Sequence, residues 1–266
     1  MLSNVPDMKF DIARASRAGG ALRLPGRLQA AVQAAMQCAL PQACVLCAAA
    51  SGNAIICDAC AARMPAIGDA CPRCALASPG NATCGACLSK APPFDATIAA
   101  WRYAFPADRL LQAFKYAGAL ALAEPLAHAV ADAVRARNAP LPDCLVAMPL
   151  APRRQRERGF NHAHEIARRL STYVAIPLVR GLRRPRDAPP QAGLTLRERA
   201  RNVRDAFEAP ADLAGCTVAI VDDVMTTGAT LGAAALALRN AKALRVEAWV
   251  VARTPPPASR FPITGP

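Results

Sequence analysis

The chain has 266 residues, room for one large domain or two smaller ones with a substantial core. Hydrophobic residues make up 53% of it, but much of that is alanine and only 5% is aromatic, so the bulky core is smaller than the first figure suggests. The formal net charge of +13 is unevenly placed: residues 152–205 hold 14 arginines against five acids, a balance that suits nucleic acid, a membrane surface or a multiply phosphorylated small molecule.

No stretch approaches the roughly 18–20 uninterrupted apolar residues of a membrane span. The N-terminus carries no secretory pattern either, so a cytoplasmic protein with no membrane span is expected. Residues 28–40 place Leu28, Val32, Met36 and Leu40 at four-residue steps, which predicts an amphipathic helix within an N-terminal extension over residues 1–40. Eight cysteines follow within residues 41–90 as four pairs, Cys44/Cys47, Cys57/Cys60, Cys71/Cys74 and Cys84/Cys87, each pair separated by two residues. That gap lets both thiolates of one tight turn face a single ion, and two such turns complete the tetrahedron that zinc accepts. Two structural Zn²⁺ sites are therefore expected, closed and without metal catalysis. A disulfide framework would need an oxidising compartment, and a redox pair normally occurs once, near a βαβ unit. Four regularly spaced pairs fit neither. Sequential pairing, first with second and third with fourth, is the simplest, and interleaving stays open. Cys38, Cys144 and Cys216 stand apart and read as small buried residues.

Ala91-Pro92-Pro93 marks a boundary, after which residues 91–256 form the main domain and residues 257–266 a tail. Residues 97–105 read as a strand, with Trp101, Tyr103 and Phe105 on one core-facing side. A helix starts at Asp108 with Leu110, Leu111 and Phe114 on its apolar face, and a second covers residues 119–137. Residues 144–148 form a strand stopped by Pro149. A helix over 161–173, a short segment at 177–179 and a polar, proline-punctuated mobile loop over 180–204 come next. A strand at 218–221, a helix at 229–240 and a strand at 246–251 complete the series. Strands alternating with helices predict an α/β fold with a doubly wound, mainly parallel sheet, which binds ligands beyond the carboxyl ends of its strands. Met148-Pro149-Leu150 and residues 222–230 lie at such ends. No G-x-x-x-x-G-K-[ST] occurs, and no G-x-G-x-x-G joins a strand to a helix, so nucleoside-triphosphatase and dinucleotide-binding readings are disfavoured. His162 and His164 have no partner at metal-ligand spacing, and surface or local hydrogen-bonding roles are expected for them; His128 reads as structural.

The stretch TVAIVDDVMTTGATL carries the most chemistry. An apolar run meets two adjacent acids, Asp222 and Asp223, and then Thr226, Thr227, Gly228, Ala229 and Thr230 open a helix. A helix N-terminus offers free N–H groups and a positive dipole end to an anion. Gly228 allows close backbone approach, and the hydroxyls add donors. Carboxylates beside a phosphate site repel the ligand unless they face another part of it, and neighbouring ribose hydroxyls are such a part. A sugar 5′-phosphate meets both demands; an ordinary strand end with a threonine cap needs neither two acids nor so many donors.

VAIVDDVMTTGAT resembles the phosphoribosyl-pyrophosphate (PRPP) signature of type I phosphoribosyltransferases. Together with the four cysteine pairs, PPFD at residues 92–95, FKY at 114–116, MPLAPRRQRERGFNHA at 148–163 and QAGLTLRERARNVRDAF at 191–207, it is similar to the ComF/GntX family of competence proteins. The resemblance covers about residues 40–255 and implies a type I phosphoribosyltransferase fold preceded by a double zinc ribbon. It also implies roles at matching positions. Asp222 and Asp223 would bind the ribose hydroxyls, and Thr226 to Thr230 the 5′-phosphate. Met148, Pro149 and Leu150 would form the pyrophosphate loop, with Arg153, Arg156 and Arg158 neutralising it and Lys115 as a further candidate. Mg²⁺ would accompany PRPP, and the phosphoribosyl group would pass to an unidentified nucleophilic acceptor with release of pyrophosphate. The family's link to DNA uptake adds a second expectation, a non-catalytic factor binding single-stranded DNA or competence machinery proteins. His162 stands where the family often has glutamine, which leaves the core motif intact.

Overall fold

The computed structural model describes residues 43–116, 119–185 and 206–256; the helix expected over 28–40, Cys38, most of the 180–204 loop and the tail lie outside the described residues. Four strands form one parallel sheet: β1 (Ala96–Arg102), β2 (Cys144–Ala147), β3 (Thr217–Met225) and β4 (Arg245–Arg253), in the order β1-β4-β3-β2. The helices between them are α1 (Ala107–Tyr116), α2 (Ala123–Ala136), α3 (Pro152–Arg158), α4 (His162–Val174) and α5 (Ala229–Asn240). This is the expected α/β architecture, and its cause is visible in β3 and β4. Both are apolar on both faces, as a strand with helices above and below must be. Ala219 and Val221 join Leu111, Phe114, Leu126, Ile166 and Trp249 on one side, whereas Val218 and Ile220 join Leu231, Leu238 and Val250 on the other. The segment at 177–179 appears as a single parallel bridge, Leu178 to Leu145, beside β2.

Three departures from the sequence reading bear on the site. β3 does not stop at Val221 but continues through both aspartates to Met225, because parallel pairing with β4 persists as far as Met225 against Arg253. Charged residues are tolerated there because the sheet's helical cover ends at that rim, where the acids meet a cavity and a lysine rather than packed side chains. β1 ends at Arg102, so Trp101 and Tyr103 are half-buried against the core while Phe105 is 75% exposed and not a core residue. Residues 152–158, with no apolar period to reveal them, form α3, begun by Pro152 in its first turn and ended by Gly159 in the left-handed region at φ 75°.

The cysteine segment folds as two similar halves. Each begins with a small antiparallel bridge, Ala43 to Ala50 and then Ala70 to Ala77, and each ends in a short helical turn, Asp58–Ala61 and Gly85–Ser89. The second half and the segment just before it lie along the outer edge of β1. Thr97 donates its amide to Pro72 O (3.0 Å) and its hydroxyl to Arg73 O (2.5 Å), and the Arg102 amide donates to Pro65 O (2.8 Å). An edge that would otherwise present open backbone groups is thereby covered.

Glu247 is a buried charge far from the sheet's carboxyl rim. It is 1% exposed and accepts from Arg137 (2.6 and 3.0 Å), Arg245 Nε (3.0 Å) and Trp249 Nε1 (2.9 Å). Burial pushes its carboxyl up, but these donors win and hold it below the usual range. Glu247→Gln keeps the shape and removes the charge; it is expected to cost about 1.5–3 kcal/mol, the worth of a charged hydrogen bond, in urea unfolding followed by circular dichroism.

Candidate functional site

At the carboxyl end of the sheet a cavity of about 430 Å³ is lined by Met148, Pro149, Leu150, Asp222, Asp223, Thr226, Gly228, Ala229 and Thr230, along with Lys115. Side chains alternate along a strand. Asp223 therefore shares the α1 side with Ala219 and Val221, and there Lys115 Nζ sits 3.0 Å from its Oδ2. Asp222 points to the other side and accepts the Asp223 amide at Oδ1 (2.9 Å). Burial, then the neighbouring Asp223 charge, pushes the Asp222 carboxyl up to about 8, despite the opposing Asp223 amide and Lys115. Asp222 therefore keeps its proton at neutral pH. From opposite faces of β3 both carboxyls border the same cavity.

The backbone around the acids is set by residues the motif alone does not reveal. Gly228 is left-handed at φ 80°, and a Cβ there would lie 2.7 Å from Met225 Cε and 3.6 Å from Phe94 Cζ. Phe94 of the PPFD stretch is therefore the floor beneath the turn into α5. The Ala229 amide donates to Thr227 Oγ1 (3.3 Å), so Thr227 serves the turn itself and does not line the cavity. On the opposite wall the Met148 amide donates to Val221 O (2.9 Å), and the Met148 carbonyl accepts from Asn161 Nδ2 (3.0 Å). Asn161 also caps α4, its Oδ1 accepting the His164 amide at 3.2 Å. One asparagine thus fixes both the loop at 148–150 and the start of α4.

The arginines divide differently from the sequence expectation. Arg154 lines the cavity, whereas Arg153 and Arg156 are exposed and lie outside its lining; Arg153 pairs with Glu157 at 2.8 Å. The side chain of Arg158 lies outside the described residues. Arg184, whose guanidinium lies over the Phe207 ring at 5.5 Å, also reaches the cavity. His162 is no surface residue: it is 2% exposed, edge-on to Phe114 at 5.0 Å and 4.4 Å from the Phe160 ring, and it too lines the cavity. Its place in the first turn of α4, directly after the capping Asn161, turns it inward.

The cysteines gather by sequential pairing into Cys44, Cys47, Cys57, Cys60 and Cys71, Cys74, Cys84, Cys87, with the sulfurs of each set within 4.8 Å of one another. A tetrahedron with Zn–S bonds of about 2.3 Å has edges of about 3.8 Å. Cys47 and Cys57 stand 3.7 Å apart, and Cys74 and Cys84 stand 3.6 Å apart. The Cys57 amide donates to Cys44 Sγ (3.4 Å) and the Cys84 amide to Cys71 Sγ (3.3 Å), the support a metal-bound thiolate takes from its surroundings. Burial raises the Cys44 and Cys71 thiols, yet those amides and their neighbours outweigh it and bring both down to about 6. Cys60 goes the other way, pushed up to about 12 mainly by its hydrogen bond with Cys47. Both sets fit a closed, all-thiolate zinc site. Cys144 is buried as expected, and burial pushes its thiol up to about 11, while Cys216 is half-buried.

Residues 35–88 match the family model described as a double zinc ribbon domain, and residues 156–262 match the one described as a phosphoribosyl transferase domain. The molecule is thus a phosphoribosyltransferase-like α/β protein that carries a double zinc ribbon. It is 31% identical over 168 residues to Competence protein F of Haemophilus influenzae, covering 60% of this chain and 73% of that one. To the DNA utilization protein YhgH of Salmonella typhi it is 33% identical over 167 residues, covering 61% and 74%. The chain belongs to the Competence protein F family. Among solved structures, the B. subtilis glutamine PRPP amidotransferase aligns with a TM-score of 0.36 and 19% identity, over 48% of this chain and 26% of that one. The purine phosphoribosyltransferase of Pyrococcus horikoshii aligns with a TM-score of 0.31 and 18% identity, over 53% and 92%. Among the described residues no helix is long and apolar enough to cross a membrane.

Proposed function

We propose that this protein binds PRPP in the rim cavity and transfers its phosphoribosyl group to a nucleophilic acceptor, releasing pyrophosphate. The observation that carries this reading is the convergence on one cavity of three groups: both aspartates, the 148–150 loop and the start of α5. Asp222 and Asp223 hold the ribose hydroxyls. The turn at Thr226 to Thr230 takes the 5′-phosphate on backbone amides and hydroxyls, helped by the dipole of α5. The loop at Met148, Pro149 and Leu150 takes the pyrophosphate, and Arg154 and Arg184, which line the cavity, neutralise it more directly than Arg153 or Arg156. As pyrophosphate leaves, the sugar gains oxocarbenium character, and these cations lower the barrier by stabilising the leaving charge.

Asp222, the carboxyl that Lys115 does not hold, is an oxygen ligand of the kind a hard divalent cation takes. Mg²⁺ would supply charge neutralisation on the substrate's oxygens. Lys115 already neutralises Asp223, so the acids serve ribose and the metal's water shell rather than stripping the ion. Calorimetric titration tests the reading: Mg²⁺-dependent PRPP binding is expected in the native chain and is abolished in Asp222→Ala/Asp223→Ala. Undiminished binding by that folded double variant would sink the site assignment.

A second reading, direct binding of single-stranded DNA, is favoured by the exposed Arg153, Arg154 and Arg156 on α3 beside the cavity mouth. Affinity should then fall steeply with salt as counterions are released. If an oligonucleotide does not bind even at roughly 50 mM salt, this reading is wrong.

A further inference from the structure

Arg253, the last residue of β4, is 5% exposed, and its hydrogen bonds run to four backbone carbonyls in two parts of the molecule. Nε donates to Cys74 O (2.7 Å), in the second cysteine cluster. One terminal nitrogen donates to Met225 O (3.0 Å), Thr226 O and Thr254 O (2.9 Å). The rigid planar fork of arginine is what allows one side chain to hold both directions at once.

Two physical consequences follow. In a trans peptide the C=O and the next N–H point in opposite directions. Fixing the carbonyls of Met225 and Thr226 toward Arg253 therefore turns the amides of Thr226 and Thr227 away from it, and these open the turn that leads into α5. The second consequence is electrostatic. A buried guanidinium is costly without a countercharge. Its Nε hydrogen bond to Cys74 O sets the guanidinium beside the second cluster. Four thiolates around one Zn²⁺ carry a net charge of −2, so a zinc-loaded second cluster supplies the anion that Arg253 needs.

We propose that Arg253 is a positioning residue that couples the second zinc cluster to the phosphate-binding turn, so that zinc and PRPP each tighten the other's hold. The inference rests on the PRPP reading for its ligand, but its zinc side stands separately. The first cluster has no such connection through Arg253 and serves as the internal control. Its Cys47 is exposed, whereas three cysteines of the second cluster are buried, so the first zinc should leave quickly and the second slowly.

The experiment follows zinc release from the full chain into a chromogenic chelator that leaves Mg²⁺ in place, with and without saturating PRPP. The slow phase is expected to slow further by about tenfold with PRPP, within the usual range of coupling between sites, while the fast phase does not move. In Arg253→Met the slow phase should quicken and lose its response to PRPP, and calorimetry should show weaker PRPP binding than in the native chain. Arg253→Lys keeps the charge without the fork; it should retain slow zinc release but not the PRPP response, which separates countercharge from geometry. A native chain that binds PRPP by calorimetry yet shows one unchanged slow phase overturns the coupling, and this comparison needs no variant. A native chain that does not bind PRPP overturns the proposed function instead. In that event Arg253→Met, or Arg253→Gln if the former does not fold, must still quicken one zinc phase, and equal rates refute the zinc contact.

Discussion

Removing both zinc ions from the full chain is expected to release two equivalents of metal and unfold residues 43–90. The buried side chains of the second half form a cluster of only Cys71, Cys74 and Cys87, with Leu76 and Cys84 partly buried against them. That is too little apolar surface to offset the conformational entropy of ordering the segment. Metal ligation, with an apparent binding energy of about 10–16 kcal/mol per structural zinc, is the term that folds it. The effect should extend beyond the cysteines. Thr97 and Arg102 give their amides to Pro72 and Pro65, so hydrogen exchange at these two positions should accelerate on chelation. Amides inside the sheet, such as Ile220 and Ala248, should not respond. With the β1 edge uncovered, the stripped protein should also aggregate at high concentration. A segment that stays protected without metal would refute the account.

The architecture was legible where one physical signal dominates. Paired cysteines two residues apart have few uses, and the apolar runs at 218–221 and 246–251 read as buried parallel strands. What sequence reasoning missed depends on the third dimension. α3 has seven residues, PRRQRER, without an apolar stripe; Pro152 at its start and Gly159 after its end were its only signals. Arg154 reaches the cavity while Arg153 and Arg156 do not, because neighbours on a helix point in different directions and no pattern told which way α3 faces. His162 is buried because Asn161 starts α4 where it does, and the capping asparagine was visible in GFNHA only after the fact. Lys115 was one charge among many at sequence level. Its meaning comes from α1 lying over β3, which brings its ammonium to Asp223 across more than a hundred residues of chain. Arg253 was invisible for the same reason: its partners at 74 and 225–226 are joined only by the fold.

Asp222→Asn is expected to make the protein more stable at pH 8. In the native state Asp222 keeps its proton up to about pH 8, against 3.8 for an ordinary aspartate. Between those values the native state holds more protons than the unfolded chain, so stability must fall as pH rises through that window. The sign is opposite to that of a salt-bridged carboxylate. Below the window both states are protonated and Asp222 costs nothing; above it the native state carries a buried, unwelcome charge. The full displacement corresponds to about 6 kcal/mol. Partial exposure to the cavity screens it, leaving roughly 2–3 kcal/mol. Asparagine retains an oxygen for the Asp223 amide and has no charge to lose, so its stability should not share that fall. Urea unfolding at pH 5, 7 and 8.5 measures the difference directly, and parallel curves for the two proteins would show that Asp222 ionises normally.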